Sequence, residues 1–199
     1  MAEPAAGGNP MRLALGITGA SGAAYGLEIL RRAVARGAQV ELVVSDWGRV
    51  VLAQECGVEY DPERPGGGLV TGEAAGRVRC HPVGDMRSPL ASGSSDWEAM
   101  CIAPCSVGTV GRIAAGTGDN LLVRAAAVAL KERRRLVVVP RETPLGLIEL
   151  HNLVTLAEAG AVVLPAMPAF YEGPQTVADL VGFIAERALG QLGLGEARR

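Results

Sequence analysis

The side chains able to do chemistry gather where apolar runs are broken by turn residues. Residues 100–103 form a short apolar run that breaks at Pro104 into Cys105-Ser106-Val107-Gly108-Thr109, so hydroxyls and backbone N–H groups collect where a strand hands over to a helix. A helix start of this kind suits an anion. A second run, 136–139, ends in Pro140-Arg141-Glu142-Thr143-Pro144, which puts a cation and a carboxylate together at another strand end. Between the two runs, Arg124 and Lys131 are spaced to share one face of a helix. Near the start of the chain, residues 11–18 end at Gly19-Ala20-Ser21-Gly22. There the glycines let the backbone approach an anion, and Ser21 adds a hydroxyl that can cap the next helix or bind a phosphate oxygen. This turn is neither G-x-G-x-x-G nor a lysine-bearing P-loop. Residues 39–44 end at Ser45 and Asp46; an acid here contacts a ribose in dinucleotide folds, and Ser45 can equally cap a helix.

These sites need strands to carry them and helices to cover the strands. Apolar runs predict strands near 11–18, 39–44, 100–103, 136–139 and 161–164, with a weaker one near 77–83. Helical periodicity predicts helices over 23–35, 47–55, 121–134, 145–159 and 177–189. Alternation of this kind implies an α/β fold with a mainly parallel sheet and right-handed crossovers. The special residues then fall at the carboxyl ends of strands and converge on one edge. Residues 57–95 are looser, with prolines and glycines marking loops, and 89–94 read as a surface loop or lid.

With 199 residues, 49% hydrophobic and 4% aromatic, the chain fits one domain over 11–199 with a core of Ala, Val and Leu, behind a disordered tail over 1–10. A net charge of -2 offers no basic field for nucleic acid. No apolar run approaches the roughly 20 residues of a membrane span. The 4 cysteines form no C-x-x-C pair and fit a reducing cytoplasm. His81 and His151 stand in no metal-ligand pattern and read as structural or exposed, so no metal is expected.

Six motifs in order, T-G-A-S-G at 18–22, P-C-S-V-G-T at 104–109, D-N-L-L-V-R-A at 119–125, L-K-E-R-R at 130–134, P-R-E-T-P at 140–144 and P-A-F-Y at 168–171, resemble the UbiX-type flavin prenyltransferases. The resemblance extends from Arg12 to about Gly193. It implies a Rossmann-like or flavodoxin-like three-layer sandwich, FMN, and a homododecamer with active sites between subunits. It also implies transfer of a dimethylallyl group from dimethylallyl phosphate to N5 and C6 of reduced FMN, giving prenylated FMN for a UbiD-type decarboxylase. By the same resemblance FMN lies against Gly19, Ala20, Ser21, Ser45, Ser106, Val107, Gly108, Thr109 and Arg141. Tyr171 and Arg187 match ligands of the prenyl phosphate, and Arg124 and Lys131 match basic residues around it. Glu142 matches an acid/base carboxylate beside the flavin and Glu55 a second one, with Ser21 and Lys131 completing the catalytic set. Residues 89–94 correspond to a loop near the substrate.

The chemistry agrees with those roles. A departing phosphate needs fixed cations, and proton removal from a ring carbon needs a placed base. Trp97 or Phe170 are candidates for an apolar wall of the site. Two departures stand out: Ala127 replaces a common Asp, and His151 a common Glu. The alternative is an FMN-dependent decarboxylase of the cysteine-decarboxylase type, or a non-catalytic FMN-binding accessory subunit of a decarboxylase. The first of these carries an early catalytic His, a P-A-S-A-N type loop and a P-x-M-N-x-x-M segment. Here no His precedes His81, and Pro168 follows Met167.

Overall fold

The computed structural model describes residues 10–195. Nearly all of the expected N-terminal tail therefore lies outside the described residues. The strands are β1 (Arg12–Ile17), β2 (Gln39–Val44), β3 (Val78–His81), β4 (Ala99–Cys105), β5 (Arg135–Pro140) and β6 (Val162–Val163). The helices are α1 (Ala23–Ala35), α2 (Asp46–Cys56), α3 (Val107–Ala114), α4 (Leu121–Lys131), α5 (Leu147–Glu158) and α6 (Val177–Leu192). The six strands form one sheet in the order β3-β2-β1-β4-β5-β6, and every pairing is parallel. The chain builds outward from β1 in one direction and then from β4 in the other. The crevice between the carboxyl ends of β1 and β4 is thus the topological switch point, where open parallel sheets bind ligands.

Side-chain alternation divides the core into two layers. Leu13, Leu15 and Ile17 of β1, Cys101 and Ala103 of β4, and Val137 and Val139 of β5 pack with α1 and α6. Ala14, Met100, Ile102, Leu136 and Val138 point the other way, against α3 and α4. Burying each large aliphatic side chain contributes about 1.5–3 kcal/mol, so the sheet is the rigid scaffold for its loops. α1 shows its buried stripe as Ala23, Leu27, Leu30 and Val34. Gly26 lies on the same face because a Cβ there would collide with the Ala103 carbonyl oxygen. That close approach sets α1 directly on β4.

The structure corrects three boundaries. β4 does not break at Pro104 but continues to Cys105, with a register shift against β5 between Ile102 and Cys105 that accommodates a residue lacking an N–H. α4 stops at Lys131 rather than at 134, since Arg133 takes a φ of 59, which an α-helix cannot continue through. A short helix, α3, starts at Val107, where sequence periodicity showed only a turn. Residues 65–91 contain short 3-10 turns and the short edge strand β3.

Candidate functional site

One buried hydroxyl stitches the switch point together. Thr18, just past β1, donates its hydroxyl to the Pro104 carbonyl at 2.7 Å and accepts from the Ser106 N–H at 2.8 Å. The ends of β1 and β4 are thereby fixed against each other, and with them the glycine turn and the start of α3. Ser106 caps α3: its hydroxyl accepts from the Thr109 N–H at 3.3 Å and pairs with the Thr109 hydroxyl at 3.0 Å. A cavity of about 470 Å³ opens here, walled by Thr18, Gly19, Ser45, Trp47, Ser106 and Thr109, with Gly108, Arg112 and Asn120 also on its lining. A Cβ on Gly108 would meet nothing within 4 Å, so the first turn of α3 presents backbone to open space. Ser45 caps α2, accepting from the Gly48 N–H at 3.0 Å.

The other helix start expected to hold an anion is already served by the protein. Glu55, near the end of α2, accepts from the N–H groups of Gly22 at 2.8 Å and Ala23 at 2.9 Å. The α1 N-cap, Gly22, makes no side-chain cap bond, and the Ser21 hydroxyl bonds to Glu55 instead of capping the helix. Burial alone would raise the Glu55 pKa, but the Ser21 hydroxyl, the two N–H donors and the charge of Arg141 outweigh it and hold the carboxyl below its ordinary value. Ser21, Glu55 and Arg141 therefore form one electrostatic cluster, and Ser21 follows the lining residue Gly19 by two positions. Arg141 also opposes the upward shift that burial gives the Tyr25 hydroxyl.

The remaining expected residues divide into groups. Ala20, Ser21, Val107 and Arg141 stand next to the cavity lining in sequence or space but are not part of it. Glu142 is exposed and accepts from the N–H of Thr143 at 3.0 Å. Arg124 and Lys131 face the 89–94 loop: Arg124 Nε donates to the Ala91 carbonyl at 3.0 Å, and Lys131 pairs with Glu132. Tyr171, 83% exposed, meets Phe183 edge-on with ring centroids 6.5 Å apart. Arg187 lines a separate and larger groove of about 1060 Å³ between α1 and α6. Within a single chain, then, neither Tyr171 nor Arg187 lines the cavity. The larger groove is bounded mainly by two helix faces and lacks the β1 and β4 loops, so its size does not make it the nucleotide site.

Neither candidate wall residue lines this cavity within one chain. Trp97 is buried, with the Arg134 guanidinium 4.1 Å from its ring, and belongs to the core. Phe170 is 74% exposed. The aromatic on the cavity is instead Trp47, packed so closely over the glycine turn that a Cβ on Gly19 would collide with it. Thr18 and Trp47 both follow strand ends in the sequence, which is the one signal that pointed to them. Of the histidines, His81 is buried and His151 exposed on α5. Burial pushes the Cys101 thiol up to about 12 and the neighbouring Cys105 thiol up as well, so neither is a nucleophile at neutral pH. Among the described residues no cluster of three or more His, Cys, Asp or Glu could hold a metal ion.

A parallel sheet with a cavity at its switch point, a capped helix start open to that cavity and hydroxyl donors on adjoining loops is the arrangement with which open α/β folds bind nucleotide-type ligands. The comparisons with known proteins agree, since the flavoprotein family model matches residues 3–189. The chain is 46% identical over 190 residues to flavin prenyltransferase UbiX of Pseudomonas aeruginosa, covering 93% of this chain and 90% of that one. It superposes with a TM-score of 0.83 and 34% identity on AnUbiX (PadA1) in complex with FMN and dimethylallyl pyrophosphate, covering 96% of this chain and 98% of the other. A dodecameric FMN-dependent UbiX-like decarboxylase from Escherichia coli O157:H7 superposes with a TM-score of 0.81 and 37% identity, covering 95% of this chain and 98% of the other. This chain belongs to the UbiX flavin prenyltransferase family.

Proposed function

We propose that the protein transfers a dimethylallyl group from dimethylallyl phosphate to N5 and C6 of reduced FMN. The observation that carries this reading is the switch-point cavity lined by Gly19, Ser45, Ser106, Gly108 and Thr109, with the Ser21–Glu55–Arg141 cluster beginning two residues beyond its lining residue Gly19. The residues fit FMN. The open first turn of α3, with the Ser106 and Thr109 hydroxyls, suits its phosphate, and Gly19, Ala20, Ser21, Ser45, Val107, Gly108 and Arg141 line or flank the rest. Because Glu55 already occupies the first turn of α1, that turn holds a carboxylate and not the phosphate. When bound, reduced FMN supplies the nucleophilic nitrogen and the ring carbon that are alkylated.

The chain's own groups do the rest. Arg124, Lys131 and Arg187 neutralise the departing phosphate, and the Tyr171 hydroxyl donates to its oxygens. Glu55, held ionised, is a proton acceptor at neutral pH and not a donor. Glu142, exposed beside Arg141, takes the ring-carbon proton, either directly or through the released phosphate. Since neither Tyr171 nor Arg187 lines the cavity, this reading completes the site between subunits, in a homododecamer. Prenylated FMN then passes to a UbiD-type decarboxylase. This reading places the reaction in the cytoplasm. Among the described residues no helix is long and apolar enough to cross a membrane.

The test is anaerobic incubation of the FMN-loaded protein with a reductant and dimethylallyl phosphate, followed by mass spectrometry of the released flavin. A mass raised by one dimethylallyl unit supports the reading. An unchanged mass, with bound FMN verified by absorbance, rejects it.

A further inference from the structure

A buried polar chain crosses the far side of the sheet from Tyr171 and Arg187. Glu41 of β2, His81 of β3 and Ser88 of the following loop are each 5% exposed. Glu41 Oε2 is 2.6 Å from His81 Nε2, and His81 Nδ1 is 3.0 Å from Ser88 Oγ. The other Glu41 oxygen accepts from Arg12 at 2.6 Å, and Ser88 Oγ accepts from the Leu90 N–H at 3.3 Å. Only one arrangement of protons gives every donor an acceptor with a neutral imidazole. Leu90 N–H points to Ser88, the Ser88 hydroxyl donates to Nδ1, and Nε2–H donates to a carboxylate whose charge Arg12 balances. The order of residues resembles a hydrolytic triad, yet Ser88 is shut inside the protein with its oxygen committed to the loop backbone.

That loop is the floor under Arg124. From the other side, Arg124 Nε donates to the Ala91 carbonyl at 3.0 Å, and Arg134 Nη2 donates to the carbonyls of Gly93 at 2.6 Å and Ser95 at 2.7 Å. A Cβ on Gly93 would sit 3.1 Å from Lys131 Nζ, so the loop passes directly beneath that ammonium as well. Arg124 spends only its Nε on the loop, and among the described residues its two Nη groups carry no hydrogen bond. A guanidinium pinned at Nε presents its Nη pair in a fixed direction, which is what bidentate phosphate recognition needs.

We infer that the buried Glu41–His81–Ser88 chain is a positioning device that holds the 88–95 loop and thereby aims Arg124 at the substrate's phosphate. The inference rests on the prenyl-phosphate role given to Arg124 above. It predicts an effect on phosphate binding and none on FMN. Ser88→Ala removes the oxygen that Leu90 and His81 share; Ser88→Thr keeps it; His81→Gln interrupts the chain one step further back.

The experiment measures binding of inorganic phosphate, and separately KM and kcat for dimethylallyl phosphate, on the assembled FMN-loaded protein. Ser88→Ala is expected to weaken phosphate binding and raise KM about tenfold with kcat within about twofold. Ser88→Thr should restore both, and FMN affinity should match wild type throughout. In an Arg124→Gln background, Ser88→Ala should have no further effect, because the two act through one contact. Wild-type phosphate affinity in Ser88→Ala, or a loss that Ser88→Thr fails to repair, overturns the inference. Phosphate binding decides this even if the flavin mass does not change, so failure of the positioning role and failure of the prenyl-transfer reading are distinguishable.

Discussion

The Glu55 carboxylate, near the C-terminal end of α2, accepts the Gly22 N–H at the first turn of α1 at 2.8 Å. One side chain thus supplies to α1 the negative charge that a helix start favours, and it ties α2 to α1. The same contact means that the first turn of α1 already holds a carboxylate.

The Glu55 contact makes stability depend on pH. Its folded-state carboxyl is depressed below the ordinary 4.5, so its contribution is fully present above that value and is lost as pH falls through the folded value. Glu55→Gln should lower the stability of the FMN-free protein by about 0.5 kcal/mol at neutral pH, a small figure because the group is exposed. Denaturant melts against pH should show the two proteins converging in acid. A difference that grows as pH falls below 4.5 would contradict the assignment.

Trp47 is 72% exposed at the start of α2 and forms part of the cavity wall. An aromatic face beside a flavin excludes water and contributes about 1 kcal/mol. Trp47→Ala should therefore weaken FMN binding roughly fivefold to tenfold by equilibrium titration, with Trp47→Phe intermediate. Equal affinity in all three proteins would place the flavin away from this wall.

Glu142 stands at the β5 end, while Arg187 lines the α1–α6 groove. If the working site joins these surfaces from different subunits, Glu142→Gln and Arg187→Ala should each slow turnover by about 100-fold or more without loss of FMN. Oligomers reassembled from a mixture of the two variants should then recover part of the wild-type rate, since some sites receive one intact residue from each subunit. No recovery on mixing would mean that both residues serve the same chain's site.

Much of the scaffold was legible because parallel strands buried on both faces are continuous apolar runs, and their helices show a buried stripe. β2 and α1 fall where periodicity put them, and the strand-end motifs reach the switch point because the topology leaves them nowhere else to go. Less legible was anything decided by a local exception. α3 is too short for periodicity to register, and Pro104 ends a run in sequence although a register shift lets the strand pass through it. α4 ends early because Arg133 turns left-handed, which no residue type announces.

For the site, residue types at strand ends settled which groups are present: glycines for close backbone approach, hydroxyls at helix starts, and a cation next to a carboxylate after β5. The folded chain alone decided who meets whom. Glu55 comes to Gly22, Thr18 joins two strands, Trp97 goes into the core while Trp47 takes the cavity, and His81 links Glu41 to Ser88. The physical reason is that periodicity records which face of an element is buried, a property of near neighbours along the chain. Hydrogen bonds between distant elements depend on how helices and loops pack over the sheet, and that is fixed only when the whole core closes.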